Sequence, residues 1–354
     1  MRVLHLITGL QRGGAEHMLY KLLETDGFRG ETAAVVSLTP GGVFAEKIAA
    51  LGVPVEDLGM RAGPAALAGL GRLRKAIARH RPDVVHCWMY HAGVLAAVAA
   101  RLGRLDLPLI WNIRHSVQSL SDEKRTTRAV IRLAARLSQR PKRIVYNSYT
   151  AAEEHHALGY REAATEVIPN GFDLERLRPN PELRSATRRA LEIADNQIAV
   201  LHLARVHPMK DHAGFLEAAA RLAPDRRYVF VLAGSGVGAE TPLFARLLAE
   251  RFTAETRPRV LLLGERDDAE ALLNAADIVC VSSAYGEGFS NVLGEALSLG
   301  VPCVATKVGD AERIAGGAGL VVPPRSPEAL AEALRALADE PAERRAARGR
   351  AARE

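Results

Sequence analysis

The chain has 354 residues and only three cysteines, Cys87, Cys280 and Cys303, far apart and each set in an apolar, strand-like segment. That scarcity excludes a disulfide framework and a cysteine-ligated metal site, and it reads as buried thiols in a reducing, cytoplasmic compartment. Long apolar runs are missing too. None approaches the roughly 18–20 residues that cross a bilayer, so a spanning helix is excluded. The N-terminus, MRVLHLITGLQRGG, has an apolar stretch of only about six residues before glycines and a charge, and does not read as a signal peptide. Nor is there a strong excess of one charge. The formal net charge of +6 suits anionic substrates or a membrane surface without calling for nucleic acid. What is present is the make-up of a globular enzyme, 48% apolar and 25% charged, in a chain long enough for two domains.

Strand and helix patterns alternate throughout. In the first half, strands are expected at Arg2–Ile7, Ala33–Leu38, Val53–Asp57, Val84–Cys87, Leu109–Ile113 and Ile144–Asn147, with helical spacing between them, as in Ala15–Leu23, Ala66–Ala78 and Gly93–Leu102. In the second half they are expected at Ala199–Ala204, Tyr228–Leu232, Val260–Leu263, Ile278–Val281, Val301–Ala305 and Gly319–Val322. Such alternation predicts parallel sheets covered on both faces, with ligands beyond the carboxyl ends of the strands. Val167–Asp173, VIPNGFD, breaks the pattern, and Pro179 and Pro181 follow, so the boundary is placed near Leu177–Leu183. The expected division is residues 1–178, residues 179–340, and a polar, arginine-rich tail at 341–354.

The stretch Tyr285–Gly300, YGEGFSNVLGEALSLG, follows the strand Ile278–Val281 and opens a helix that Gly300 and Pro302 stop. A helix start presents free amides and the positive end of the helix dipole, which suits phosphate. Glu287 stands at the loop and Glu295 a little over two turns down, eight positions on. Two carboxylates beside an anion site suit a ligand carrying both phosphate and hydroxyls.

In this setting E-x7-E, within EGFSNVLGEALSLGVPCVAT, resembles the donor-site motif of retaining glycosyltransferases of the GT-B fold, glycosyltransferase family 4. The resemblance covers nearly the whole chain and is sharper in the second half. It implies two Rossmann-like doubly wound domains facing a cleft, the first meeting the acceptor and the second holding a nucleotide sugar. Arg205 and Lys210, five positions apart after a strand, match the cations with which the family holds the diphosphate. The resemblance further implies that Glu287 meets the sugar, Glu295 the ribose, and Gly288, Phe289, Ser290 and Asn291 the sugar and phosphate. It sets Gly234, in AGSGVG, beside the donor and Arg266 near the base. Gly13 and Gly14 would face the diphosphate, although a plain tight turn is the other reading of that pair. His115, in WNIRHS, would lie near the transferred sugar. VIPNGFD resembles the family's interdomain segment, and the long terminal helix that crosses back onto the first domain looks short or missing.

Other polar residues are less telling. Glu16 and His17 either reach the cleft or are exposed, His86 and His91 are candidates for the acceptor pocket, and His155-His156 is expected at a helix surface. Asp267-Asp268 sits at a helix start, where acids are expected in any case. No D-x-D motif occurs, so no metal and no cofactor beyond the nucleotide sugar are expected. AGSGVG opens no first βαβ unit and has no acidic partner at the right distance, which argues against a nicotinamide enzyme. Arg125, Arg128, Arg132, Arg136 and Arg140 form one stripe on a helix, opposite Val130, Leu133, Ala134 and Leu137. That stripe is either a solvated face or a surface for anionic lipid or a pyrophosphate-linked acceptor.

The pattern GLQRGGAEHMLYKLLE resembles bacterial enzymes of capsule, lipopolysaccharide or lipid-linked oligosaccharide synthesis, which implies a lipid-linked or cell-surface glycan acceptor. The implied donor is a UDP-sugar, with GDP-mannose as the alternative. A non-catalytic nucleotide-sugar-binding protein is the reading from a different class.

Overall fold

The structure, a computed structural model, describes residues 1–60, 65–102 and 107–353. It divides into two compact units, Met1–Pro169 and Asn170–Glu354. The first unit carries strands β1 (Val3–Ile7), β2 (Thr32–Ser37), β3 (Val55–Asp57), β4 (Val84–Trp88), β5 (Leu109–Ile113), β6 (Arg143–Tyr146) and β7 (Thr165–Val167). They form one sheet in the order β3-β2-β1-β4-β5-β6-β7, parallel at every pairing. The second unit carries β8 (Ile198–Leu203), β9 (Tyr228–Ala233), β10 (Val260–Leu262), β11 (Ile278–Val281), β12 (Cys303–Thr306) and β13 (Leu320–Val322), again parallel, in the order β10-β9-β8-β11-β12-β13.

Side chains alternate across each sheet because a strand repeats every two residues. On β1, Leu4 and Leu6 enter a core with Leu73, Leu95 and Ile131, whereas Ile7 faces Leu19, Phe44 and Ile48. On β8, Val200 meets Phe215, Phe244 and Leu334, whereas Leu201 meets Leu272, Leu293 and Leu297. Both faces of both sheets are therefore covered, which is why the strands read as nearly continuous apolar runs.

Strand β7 was not expected, since its last residue, Val167, opens the segment assigned to the linker. It pairs with β6 at Ile144↔Thr165 and Tyr146↔Val167 and closes one edge of the first sheet. The division between units falls at Pro169/Asn170, ahead of the expected 178/179, because the next residues are tied into the second unit. Asn170 donates to Asn291, Phe172 packs on Phe289, and Arg353 donates to the carbonyls of Leu174 and Leu177. The arginine-rich tail is helical over Ala342–Arg353, with Glu354 outside the described residues. Gly349 lies against Gly300, where a Cβ would overlap the Gly300 carbonyl, so this helix is seated on the second unit. No described helix is long and apolar enough to cross a membrane.

Candidate active site

The second sheet reverses its winding between β8 and β11, and loops leaving such a neighbouring pair diverge to open a ligand crevice. The loop after β8 carries Arg205 and Lys210, and the loop after β11 carries Glu287. The two are stitched together. Ala284 N donates to Met209 O at 2.7 Å, and Ser282 Oγ donates to Lys210 O at 2.9 Å. Lys210 Nζ pairs with Glu287 Oε1, an oxygen that also accepts Ser283 Oγ at 2.8 Å. These side chains are only 20% and 12% exposed, so the pair is largely shielded from water.

Glu287 is also held from the next strand. Thr306 Oγ1, at the end of β12, donates to Ser283 O at 2.5 Å, and Asp310 N donates to Gly288 O at 3.1 Å. Gly309 has φ +56°, and a Cβ there would overlap the carbonyls of Glu287 and Gly288. Only glycine admits both that dihedral and that approach.

The loops after β8, β9 and β10 lie edge to edge. Val206 N donates to Ser235 O at 2.8 Å, and Gly234 N donates to Gly264 O at 2.7 Å. Gly234 has φ +144°, and a Cβ would overlap the Ala204 carbonyl, so it packs against the residue before Arg205. Arg205 is exposed and makes no ion pair among the described residues. Arg266 grips Asp268 with a fork, Nε to Oδ1 at 2.8 Å and Nη2 to Oδ2 at 2.6 Å. That bond raises the guanidinium and lowers the carboxyl from their usual ranges. Asp268 thus precedes the Ala269–Ala275 helix, but its carboxylate serves Arg266 and caps nothing.

The helix after β11 runs from Asn291 to Ser298, so Glu295 lies just over one turn in, not two. The shift has a cause: Gly286 is left-handed at φ +77° and Ser290 is extended, which keeps the preceding loop out of the helix. Ser290 is buried and its side chain caps nothing, while Asn291 Oδ1 accepts from Asn170. Phe289 packs on Phe172 with centroids 5.9 Å apart, and Glu295 is half-buried.

Two buried histidines under the cation loop were not singled out from sequence. His202, on β8, and His212, opening the Asp211-capped helix His212–Leu222, meet edge to face at 4.7 Å. Each bonds one backbone carbonyl, His202 Nδ1 to Cys280 O at 3.1 Å and His212 Nε2 to Ala204 O at 3.3 Å. Burial lowers both, His212 to about 4, so both rings are neutral near pH 7. Their spacing matches no motif, and only the fold juxtaposes them. Ser283 and Gly309 were missed for the same reason.

In the first unit the winding reverses between β1 and β4. Gly13, extended, precedes the Gly14–Glu24 helix, and a Cβ on it would overlap the Glu16 carboxylate. His17 stacks on Phe44 at 5.8 Å. His86 lies among rings, 5.3 Å from His5 and 5.0 Å from Trp88, and burial pulls it down to about 4. His91 is exposed. His115, beyond β5, is largely covered and bonds Glu123 through Nε2 at 2.7 Å. The expectation of a surface pair at His155-His156 is corrected. The Tyr149–Ala157 helix forms, but His155 is fully buried against Tyr90, Tyr146 and Tyr160, and His156 is half-buried on Thr165.

The arginine stripe lies on the Arg125–Leu137 helix. Arg125, Arg132, Arg136 and Arg140 are exposed and Arg128 half-buried, with Arg140 just past the helix end. Leu133, expected on the covered side, is 40% exposed. Steps of roughly 100° per residue leave it at the margin of the arginine face, while Ile131, Ala134 and Leu137 face the core.

Among the described residues no cluster of three or more histidine, cysteine or acidic side chains is arranged to hold a metal. The three cysteines are buried thiols, and burial raises all of them.

Comparison with known proteins agrees with this layout. Residues 3–176 match the family profile described as glycosyltransferase family 4, and residues 197–340 match that of glycosyl transferases group 1. The chain is 31% identical to the D-inositol 3-phosphate glycosyltransferase of Kribbella flavida, over 88% of this chain and 76% of that one. It is 26% identical to an Escherichia coli UDP-Gal:alpha-D-GlcNAc-diphosphoundecaprenol alpha-1,3-galactosyltransferase, over 67% of this chain and 60% of that one. Among solved structures, Anabaena HepE in complex with UDP-glucose superposes with a TM-score of 0.85 at 24% identity, covering 100% of this chain and 93% of that one. The lipopolysaccharide glycosyltransferase WaaG gives 0.75 at 15% identity, covering 99% and 94%. With two parallel α/β units, both profiles in order and relatives that are glycosyltransferases, the chain belongs to glycosyltransferase family 4 and is a glycosyltransferase of the GT-B fold.

Proposed function

We propose that this enzyme transfers a hexose or N-acetylhexosamine from a UDP-sugar to a lipid-linked or cell-surface saccharide, with retention of configuration. The observation that carries the donor half is the Lys210–Glu287 pair at the winding reversal, with Arg205 exposed on the same loop. An incoming diphosphate meets one cation already in place and a second that Glu287 holds ready. As the sugar departs, negative charge grows on the diphosphate, and Arg205, Lys210 and the amides at Ser290-Asn291 stabilise it. Glu287 accepts from sugar hydroxyls, Glu295 from ribose hydroxyls, and His115 contacts the transferred sugar. Arg266 and Gly234 border the nucleotide.

No carboxylate stands out as a covalent nucleophile, which favours attack on the same face assisted by the leaving phosphate. The names of the relatives support a UDP donor, and that of the Escherichia coli relative supports a diphosphate-linked lipid acceptor. The exposed arginine helix supports peripheral contact with an anionic leaflet, where each cation contributes about 1 kcal/mol.

The test is slow hydrolysis of UDP-glucose, UDP-galactose and GDP-mannose without acceptor, in excess EDTA. Turnover of a UDP-sugar in EDTA is expected. Turnover of GDP-mannose alone would overturn the donor assignment, activity restored only by magnesium or manganese would overturn metal independence, and binding of UDP-sugars with no turnover would favour a non-catalytic binder.

A further inference from the structure

Two carboxylates hold the loop that bears His115. Glu123 takes the ring, with Oε1 2.7 Å from His115 Nε2 and side chains only 13% and 18% exposed. Glu154, on the Tyr149–Ala157 helix, takes the chain beyond. Its Oε2 accepts from the Ser116 hydroxyl and from Val117 N at 2.7 Å. Tyr90 stands edge-on to the His115 ring, with centroids 6.3 Å apart.

Tyr90 is itself fixed by its partner's tautomer. His155 Nδ1 lies 2.6 Å from the Ala151 carbonyl, which can only accept, so Nδ1 carries the proton. His155 Nε2 is then bare and accepts from the Tyr90 hydroxyl at 2.8 Å. Burial holds His155 down at about 4, so this arrangement persists across neutral pH.

The same reasoning applies to His115. A carboxylate accepts, so Nε2–H donates to Glu123, and in the neutral ring Nδ1 is left bare. We propose that Glu123 is a positioning residue that locks His115 in the Nε2–H tautomer, so that His115 meets the transferred sugar as a hydrogen-bond acceptor at Nδ1. A ring anchored by one nitrogen cannot flip to exchange its two edges. His115 therefore orients a sugar hydroxyl and does not deliver a proton. This rests on the reading of His115 as the residue that contacts the sugar.

Two measurements test it, and the first needs no substrate. Long-range proton–nitrogen correlation spectra of the protein alone are recorded at a pH where the His115 ring signals themselves show a single nitrogen-bound proton. The His115 signals are assigned from their loss in His115→Asn. The wild type is expected to show Nε2 protonated and Nδ1 bare. Glu123→Ala is expected to mix the two tautomers, and Glu123→Gln, which keeps an acceptor oxygen, to preserve the first. A wild-type ring protonated at Nδ1 overturns the proposal.

The second measurement is UDP-glucose turnover. Glu123→Ala is expected to lower kcat about 10- to 100-fold, by analogy with the range seen when the orienting partner of a metal-ligating histidine is removed, with KM for UDP-glucose unchanged. Glu123→Gln should recover most of that loss, and Glu123→Ala should add nothing in a His115→Asn background. Wild-type turnover by His115→Asn would sink the reading of His115 itself. An impaired His115→Asn beside an unimpaired Glu123→Ala would sink only the positioning role.

Discussion

Replacing Lys210 with alanine separates the two tasks assigned to that side chain. In the protein alone, Lys210→Ala leaves Glu287, 12% exposed, with its cation removed and Ser283 still donating at 2.8 Å. Breaking a fully buried pair costs about 3–5 kcal/mol, whereas exposed pairs are worth about 0–1. The partial exposure here puts the expected loss between them, at about 1–3 kcal/mol. For a unit of this size each kcal/mol lowers Tm by about 2–4 °C, so a drop of roughly 2–12 °C is predicted. In turnover, the lost contact strengthens only as the leaving group departs, and about 2–4 kcal/mol of transition-state stabilisation should go, roughly 30- to 1000-fold in kcat. The double variant Lys210→Met with Glu287→Gln removes both charges of the pair. It should melt close to the wild type and remain inactive. Thermal melts and steady-state UDP-glucose hydrolysis read the two quantities side by side. A double variant that regains turnover along with Tm, or a Lys210→Ala that hydrolyses at the wild-type rate, would refute the reasoning.

Three further outcomes are expected. Gly309→Ala must place a Cβ over the Glu287 and Gly288 carbonyls at φ +56°; strain of about 1–3 kcal/mol or more should lower the urea midpoint and shift Glu287, with turnover lost more than tenfold. Burial depresses His86, His155 and His212 to about 4, below their unfolded value, so their stabilisation is present above about pH 6.5 and lost as pH falls towards 4. Each contributes up to about 1.4 kcal/mol per pH unit in that window, and Tm followed from pH 7 to pH 4.5 should drop steeply; a flat profile would contradict neutral burial. Replacing Arg128, Arg132 and Arg136 with glutamine should weaken flotation with anionic liposomes and leave UDP binding intact, whereas equal recovery with anionic and neutral lipid would retire the membrane reading.

The alternation of apolar runs was enough to expect two parallel sheets, because strands covered on both faces read as unbroken Val, Ile and Leu segments. Arg205, Lys210 and Glu287 were singled out through the family resemblance, and the structure brings Lys210 and Glu287 together as a pair. Ser283, Thr306 and Gly309 were not, since their part in holding Glu287 depends on β11 and β12 being neighbours. Strand β7 is three residues long and half-exposed, too short for any period to show. His155 was misplaced because Tyr149–Ala157 carries alanines, glutamates and histidines with no apolar stripe to say which side faces the core. Leu133 failed differently, as a residue at the margin of two faces. Glu123 was hidden inside a stretch whose arginines drew attention, and its partner lies across a loop.

The central claim is that the second unit binds a nucleotide diphosphate through the loop after β8. Calorimetric titration of UDP into the wild type and Arg205→Ala tests it directly, since Arg205 makes no ion pair among the described residues and its removal leaves no buried charge behind. A charge-assisted contact of about 1.5–3 kcal/mol predicts that Arg205→Ala binds UDP roughly 10- to 150-fold more weakly with its Tm unchanged. Equal affinity in the two proteins, or no UDP binding by the wild type, would contradict it.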